Sequence, residues 1–94
     1  MTSVSTFTAN TVGTAIKAGS GVIRNVNITK AGSADTAITI YDNPSAASGK
    51  VLYVGGGSVT GSFALDQETG VNATQGMYIV ISSTTAPNVC VYYS

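Results

Sequence analysis

The chain has 94 residues, with four lysines and arginines, four aspartates and glutamates, and no histidine. This length suits one domain, which we expect to span residues 1–94. A formal net charge of zero, with only 9% charged residues, argues against nucleic acid or an anionic membrane as a partner. With no histidine or tryptophan and a single cysteine, the usual catalytic bases, metal ligands and thiolates are nearly absent. Most enzyme classes are therefore disfavoured, and no cofactor is predicted.

The composition favours an all-β fold. Valine, isoleucine, threonine, tyrosine and phenylalanine account for 38 of the 94 residues, whereas leucine, methionine, glutamate, glutamine, lysine and arginine account for 11. The longest apolar runs, Met77 to Ile81 and Val89 to Tyr93, have five residues each, and no basic segment followed by an apolar run opens the chain. We therefore expect no signal peptide and no membrane span. One cysteine cannot form an internal disulfide, which fits synthesis in a reducing cytoplasm.

Short β-type runs separated by turn residues recur about every ten residues, as is typical of a sandwich or barrel. About eight strands are expected. In chain order, the β-type runs are Val4–Thr8, Thr11–Lys17, Val22–Thr29, Ala37–Tyr41, Lys50–Val54, Val59–Leu65, Val71–Thr74, Met77–Ser82 and Val89–Tyr93. The first two runs are rich in threonine and show only weak alternation of apolar and polar residues. Residues 1–18 could therefore form an extended N-terminal arm instead.

The alternation within these runs predicts which side chains face the core. In Val22–Thr29, the pattern places Val22, Val26 and Ile28 on one face with Arg24 among them. The turn that follows suggests that this run pairs in antiparallel fashion with Ala37–Tyr41. In Val59–Leu65, the odd-numbered residues are expected to face the core.

Three runs carry apolar residues on both faces: Val51–Val54, Met77–Ile81 and Val89–Tyr93. Since no segment has the pattern of an amphipathic helix, a helix cannot cover the second face. The cover is either the opposite edge of the same sandwich or a neighbouring protein. A contact between subunits is the economical explanation, and the low surface charge agrees with it. The chain is therefore expected to self-associate, with Tyr92 or Tyr93 near the contact.

The carboxylates Asp35, Asp42, Asp66 and Glu68 all fall in or beside predicted turns, where they are expected to be solvated. A calcium site at Asp66, Glu68 and Asn72 would be a weak candidate, because the dense acidic ladder of a calcium loop is missing. Without histidine, a Ser-His-Asp relay is excluded. Cys90 lies in an apolar run and is expected to be a buried, unreactive thiol.

The order of five segments resembles that in small virion proteins of tailed bacteriophages. Gly21 to Lys30 resembles their first "G-V-L-x-x-I-x-V" strand, Ile38 to Asn43 their "I-x-Y-D" strand, and Ser45 to Val51 their small-residue loop that ends in glycine. Gln75 to Ser82 and Val89 to Tyr93 resemble their later "G-x-Y-V-x-I-S" and "V-x-V-x-Y" strands. The similarity covers roughly residues 20 to 94, and residues 1–18 have no counterpart.

This resemblance implies a jelly-roll-like sandwich, often trimeric, that decorates or cements the outer capsid, with the major capsid protein as partner and no catalytic residues. The expected location is the capsid surface of the virion, after synthesis in the host cytoplasm. A phage tail or fibre component and a small carbohydrate-binding module are the alternatives, and an unrecognised enzyme is disfavoured. Met1 to Thr14, uncharged and too polar to form its own core, is expected to anchor the protein, so that removing residues 1–10 leaves it folded. The residues expected at contacts are Val4, Phe7, Val12, Arg24, Tyr41, Tyr92 and Tyr93.

Overall fold

A computed structural model describes residues 3–8, 11–56, 59–64 and 71–94, except for the side chains of residues 11, 12 and 62–64. The described residues form strands and connecting segments without a helix, which confirms the all-β prediction. The strands are β1 (Ser3–Phe7), β2 (Thr11–Ala18), β3 (Gly21–Lys30), β4 (Ala37–Tyr41), β5 (Val51–Gly56), β6 (Gly61–Ala64), β7 (Val71–Ala73), β8 (Gly76–Ser82) and β9 (Asn88–Tyr93).

The strands form two antiparallel sheets packed as a sandwich. Sheet A has the order β1-β9-β3-β6, with β7 also paired to β3, and sheet B has the order β2-β8-β4-β5. Strand β6 pairs with residues 25–28 of β3, and β7 pairs with residues 21–23. Together they occupy successive stretches of one edge of β3. Counted as one interrupted strand, they give two sheets of four strands, in agreement with the predicted sandwich of about eight strands.

Most connections cross from one sheet to the other. Strands β1, β3 and β9 lie in sheet A, whereas β2, β4 and β8 lie in sheet B, and only the β4–β5 connection joins neighbours within sheet B. This repeated crossing gives the jelly-roll arrangement of eight strands. The predicted pairing of β3 with β4 is wrong, because these consecutive strands belong to opposite sheets.

The core lies between the sheets and is built mainly from isoleucine and valine. Full burial of such a side chain contributes roughly 1.5–3 kcal/mol. The buried apolar residues are Ile23, Val26, Ile28, Ile38, Ile40, Ala73, Met77, Ile79, Ile81, Val89 and Val91.

A β-bulge in β3 overturns the predicted face of its first half. Ile23 pairs with Tyr93 and Asn25 pairs with Tyr92, so Arg24 is the extra residue on the bulged strand. The bulge reverses the alternation, and Ile23 is fully buried while Val22 is partly exposed and Arg24 is exposed. The prediction holds only for Val26 and Ile28, which follow the bulge.

The N-terminal residues contribute to both sheets. Strand β1 pairs with β9 along Ser3 to Phe7 at the edge of sheet A, and the half-buried Phe7 packs against the core. Strand β2 pairs with β8 at the edge of sheet B. The described part of residues 1–18 therefore consists of two edge strands rather than a free arm. Removing residues 1–10 would delete β1 and the Phe7 contact, so it would weaken the fold.

Two further predictions about which side chains face the core are wrong. Val59 precedes β6 and is 63% exposed, so the expected core position at the start of this run is not formed. Cys90 is only half-buried, because the buried neighbours Val89 and Val91 take the inward positions of β9. Its sulfur lies 3.6 Å from the Thr6 hydroxyl oxygen, on the outer face of sheet A.

Thr36 carries a buried polar group at a cost to stability. The residue is 6% exposed, and within the described residues its hydroxyl oxygen is buried without a hydrogen-bond partner. Valine has nearly the same shape and lacks the hydroxyl, so Thr36→Val is expected to raise the free energy of unfolding by about 1 kcal/mol. Urea denaturation measures this change. A decrease in the free energy of unfolding by the same amount would show that the Thr36 hydroxyl has a hydrogen-bond partner.

Candidate interaction surface

Asp42, at the end of β4, is a structural carboxylate. Its oxygens accept hydrogen bonds from the backbone N–H groups of Thr74 at 3.1 Å, Gln75 at 2.8 Å and Gly76 at 3.3 Å, and from the Thr74 hydroxyl at 2.9 Å. The side chain is 7% exposed, so the expected solvated loop charge is wrong for this residue. The N–H of Gln75, followed by the donors of Thr74 and Gly76, lowers the pKa of Asp42 to about 2 despite its burial.

Asp35, which precedes β4, is also a structural carboxylate. It accepts hydrogen bonds from the Ser33 hydroxyl, from the Thr84 N–H at 3.1 Å and from the Thr84 hydroxyl at 2.6 Å. Ser33 Oγ also accepts bonds from the N–H groups of Thr84 at 3.1 Å and Thr85 at 3.0 Å. The Ser33 hydroxyl and the Thr84 donors lower the pKa of this exposed carboxyl to about 2. Asp35 therefore connects the β3–β4 and β8–β9 loops.

These two carboxylates fasten β4 to β8 at both ends. Asp42 binds the residues that lead into β8, and Asp35 binds Thr84, which follows it. Each carboxylate is thus committed to hydrogen bonds within the fold, and the two lie at opposite ends of β4. In the described residues, no group of three or more histidine, cysteine, aspartate or glutamate side chains could hold a metal ion. The suggested calcium ligands Asp66 and Glu68 lie outside the described residues.

Because both pKa values are lowered on folding, stability should fall in acid. Each carboxylate contributes its full stabilisation above the unfolded pKa of about 3.8 and loses it as the pH falls towards 2. We expect the urea midpoint to be steady from neutral pH down to about pH 5 and to decrease progressively below pH 4. A midpoint that rises or stays constant between pH 4 and pH 2 would contradict this assignment.

The outer face of sheet B is an uncharged surface that crosses all four strands. Residues paired directly across antiparallel strands share a face, so the strand register identifies its members. Tyr41 of β4 stands opposite Tyr78 of β8, and the neighbouring row contains Thr39 between Val54 and Val80. We call this surface the sheet B face, and its residues are Ala15, Ala37, Thr39, Tyr41, Val51, Val54, Gly56, Tyr78, Val80 and Ser82.

The apolar members of the sheet B face are open to solvent in the monomer. Val54 is 70% exposed and Val51 is 45% exposed, while Tyr41, Tyr78 and Val80 are half-buried. Gly13 of β2 lets the Tyr78 ring lie against the neighbouring strand, since a Cβ at Gly13 would stand 2.6 Å from Cε1 of that ring. The two tyrosines therefore lie in a row at one side of the face, next to the central row that contains Thr39, and the exposed valines lie on β5.

The outer face of sheet A has a different character. Asn25 of β3 pairs with Tyr92, and Asn27 pairs with Cys90, so amide groups share this face with the aromatic ring and the thiol. Arg24 is exposed at the bulge. The two outer faces thus differ in polarity, and the sheet B face is the more apolar.

The residues expected at contacts are distributed over several surfaces. Val4 and Tyr92 pair on the outer face of sheet A, whereas Phe7 and Tyr93 pack against the core. Tyr41 lies on the sheet B face. Arg24 lies at the bulge of β3, and the side chain of Val12 is outside the described part of the chain.

The expected contact residues do not include Val54, Val80 and Tyr78, which the structure places on the sheet B face, although all three belong to runs noted for apolar residues on both faces. The two-sided pattern of Val51–Val54 and Met77–Ile81 was the signal that could have found them. It does not show that both runs lie in the same sheet, which depends on the long-range pairing of β4 with both strands.

An open cleft of about 370 Å³ lies where β3 begins beside β7. It offers hydroxyl and amide groups but neither a charged nor an aromatic side chain. The lining residues are Ser20, Gly21, Val22, Asn72, Ala73 and Thr74. This set gives no chemical basis for choosing a ligand.

Comparisons with protein-family models, with curated proteins and with solved structures found no match to this chain. The described part of the chain also holds no helix with the length and hydropathy needed to cross a membrane.

Proposed function

We propose that this protein is a non-enzymatic structural protein that decorates or cements the outer capsid of a tailed bacteriophage. The observation that carries the proposal is the sheet B face, an uncharged surface with two exposed valines on β5 and a pair of adjacent tyrosines on β4 and β8. Apolar faces of this kind commonly mark contacts with other proteins. The jelly-roll topology agrees with the proposal, because capsid and lectin domains share it.

The remaining chemistry fits a structural role better than a catalytic one. The carboxylates Asp35 and Asp42 hold loops together instead of facing each other across a cleft. A decoration protein needs a stable scaffold and a contact surface, and repetition over a shell strengthens weak individual contacts. In this proposal the major capsid protein covers the sheet B face.

A pair of threonine substitutions tests the proposal. Thr39→Glu places a charge in the centre of the sheet B face, and Thr29→Glu places the same charge at an exposed position of β3 in sheet A. Burying an unpaired carboxylate costs several kcal/mol, so Thr39→Glu is expected to weaken binding to undecorated capsids at least about 30-fold. Thr29→Glu should bind like the unchanged chain.

Co-sedimentation with undecorated capsids of the parent phage measures the binding, and circular dichroism checks that each variant is folded. Failure of the unchanged chain to bind would contradict the capsid role. Equal loss of binding in both variants, with both folded, would contradict the assignment of the sheet B face.

A carbohydrate-binding module is the second candidate, and the adjacent Tyr41 and Tyr78 on the sheet B face favour it. Aromatic side chains can stack on the apolar faces of sugar rings. This candidate would be supported instead if a glycan binds the chain and quenches its tyrosine fluorescence, and if the chain does not bind capsids.

A further inference from the structure

We infer that β1 exchanges between two copies of this chain, so that each β1 leaves its own β9 and pairs in the same register with the β9 of the other copy. The inference concerns the free protein and does not depend on the capsid role. Strand exchange repeats the contacts of the monomer, so the structure already shows both surfaces of the interface. The segment that occupies the edge of β9 is therefore known, and it is Ser3–Phe7.

The edge of β9 fits this segment along its whole length. All residues of β1 pair with β9, from Ser3 opposite Tyr93 to Phe7 opposite Val89. Phe7 is half-buried and packs against the core, and a slip by one residue would turn its ring to the outer face. Backbone pairing together with an anchoring side chain is a common way for a sheet edge to recognise an added strand.

Strand β1 is held weakly compared with the core strands. Phe7 is its one residue packed against the buried core, whereas Ser3, Val4 and Thr6 are exposed. Its side-chain contacts with β9 are weak, because the Ser5 and Tyr93 hydroxyl oxygens are 3.5 Å apart and the partner of Thr6 is a thiol. An element with few buried apolar contacts opens at a lower free-energy cost than the rest of the fold.

One short connection joins β1 to the other strands. Strand β1 ends at Phe7 in sheet A, and β2 begins at Thr11 in sheet B. The four Cα–Cα steps between these residues reach at most about 14 Å, whereas packed sheets lie about 10 Å apart. A connection with so little slack lowers the effective concentration of β1 at its own β9. Short connections of this kind favour exchange between copies.

A second copy supplies the exchanged strand. It carries the same segment, so every pair forms again, including Phe7 opposite Val89. Reciprocal exchange across a two-fold axis leaves neither copy with an open β9 edge. Because the strand contacts are equal in the monomer and in the dimer, their free energies cancel. The balance then depends on the slack of the connection and on the protein concentration.

A disulfide between β1 and β9 tests whether the strands are exchanged. Thr6 stands opposite Cys90, and its hydroxyl oxygen lies 3.6 Å from the Cys90 sulfur, so Thr6→Cys places two thiols within disulfide distance. The variant is incubated at about 1 mM, a typical effective concentration for a short linker, and then separated by size exclusion and oxidised after dilution. We expect the dimer fraction to contain covalently linked chains on a denaturing gel. The monomer fraction should form the disulfide within one chain.

Val59→Cys is the matched control, because it also keeps Cys90 and its site is 63% exposed but outside β1 and β9. It should give at most a tenth of the linked dimer. Equal linkage in the two variants would overturn the inference. A chain that stays monomeric at about 1 mM, or an oligomer in which every disulfide closes within one chain, would also overturn it.

Lengthening the connection provides an independent test that needs no added thiol. A Gly-Ser-Gly-Ser insertion after Thr8 adds slack, so β1 should close on its own β9 and the dimer fraction in sedimentation equilibrium should fall at least tenfold. The same insertion after Ala47, an exposed residue of the β4–β5 loop, should leave the dimer fraction unchanged. An unchanged dimer fraction after the first insertion, or an equal decrease with both, would contradict exchange through this connection.

Discussion

Replacing Asp42 with asparagine is expected to lower the free energy of unfolding by about 3 kcal/mol, since hydrogen bonds to a charged group each contribute about 1.5–3 kcal/mol. The carboxylate accepts bonds from three consecutive backbone N–H groups and one hydroxyl. An asparagine amide keeps the shape but turns one acceptor into a donor that faces other donors. The β7–β8 turn would then lose the group that organises it.

Thermal denaturation at neutral pH measures this effect, with an expected decrease in Tm of about 15 °C for a domain of this size. The matched control is Asp35→Asn, because Asp35 is exposed and water can replace its lost bonds. Its decrease in Tm should be clearly smaller. A larger effect at Asp35 than at Asp42 would contradict the structural role assigned to Asp42.

Gly76→Ala is expected to destabilise the same turn by about 2 kcal/mol or more, as overpacking of a rigid site does. A Cβ at Gly76 would stand 2.7 Å from Pro44 Cα and 2.8 Å from the Lys17 carbonyl oxygen. Both are backbone atoms, so relief requires the β4–β5 loop or β2 to move. Such a movement would also disturb the bond from the Gly76 N–H to Asp42.

Gly56→Ala provides the control for this substitution. The nearest atom to a Cβ at Gly56 is the Thr36 carbonyl oxygen at 3.6 Å, an ordinary contact. Alanine should therefore leave stability unchanged or raise it slightly, because alanine has less conformational entropy than glycine in the unfolded chain. Urea denaturation of both variants measures the difference. Equal stabilities would show that the space around Gly76 is less restricted than the backbone distances indicate.

Local pattern was sufficient to predict most strands of this fold. The alternation of Ile38 and Ile40 with polar neighbours marks β4 within its observed bounds, and both isoleucines are buried. The same reasoning predicts the inward residues of β3 after Val26. Such patterns work because a regular strand alternates its side chains with a period of two.

Local pattern fails where the structure depends on distant pairing. The bulge at Arg24 is set by how β9 pairs along β3, so nothing in the local alternation reveals it. The burial of Asp42 depends on Thr74 to Gly76, more than thirty residues away in the chain. Cys90 has apolar neighbours on both sides, so the local sequence does not indicate that its side chain faces outward. The sheet B face likewise appears only when β8, β4 and β5 are placed side by side.

The most direct test of the proposed capsid role is a cryo-electron microscopy map of undecorated tailed-phage capsids incubated with this protein. If the capsid proposal is right, we expect additional density at regular positions on the shell, with Tyr41, Tyr78 and Thr39 of the sheet B face against the major capsid protein. A shell that gains no density, or a bound jelly roll whose sheet B face points to solvent, would contradict it.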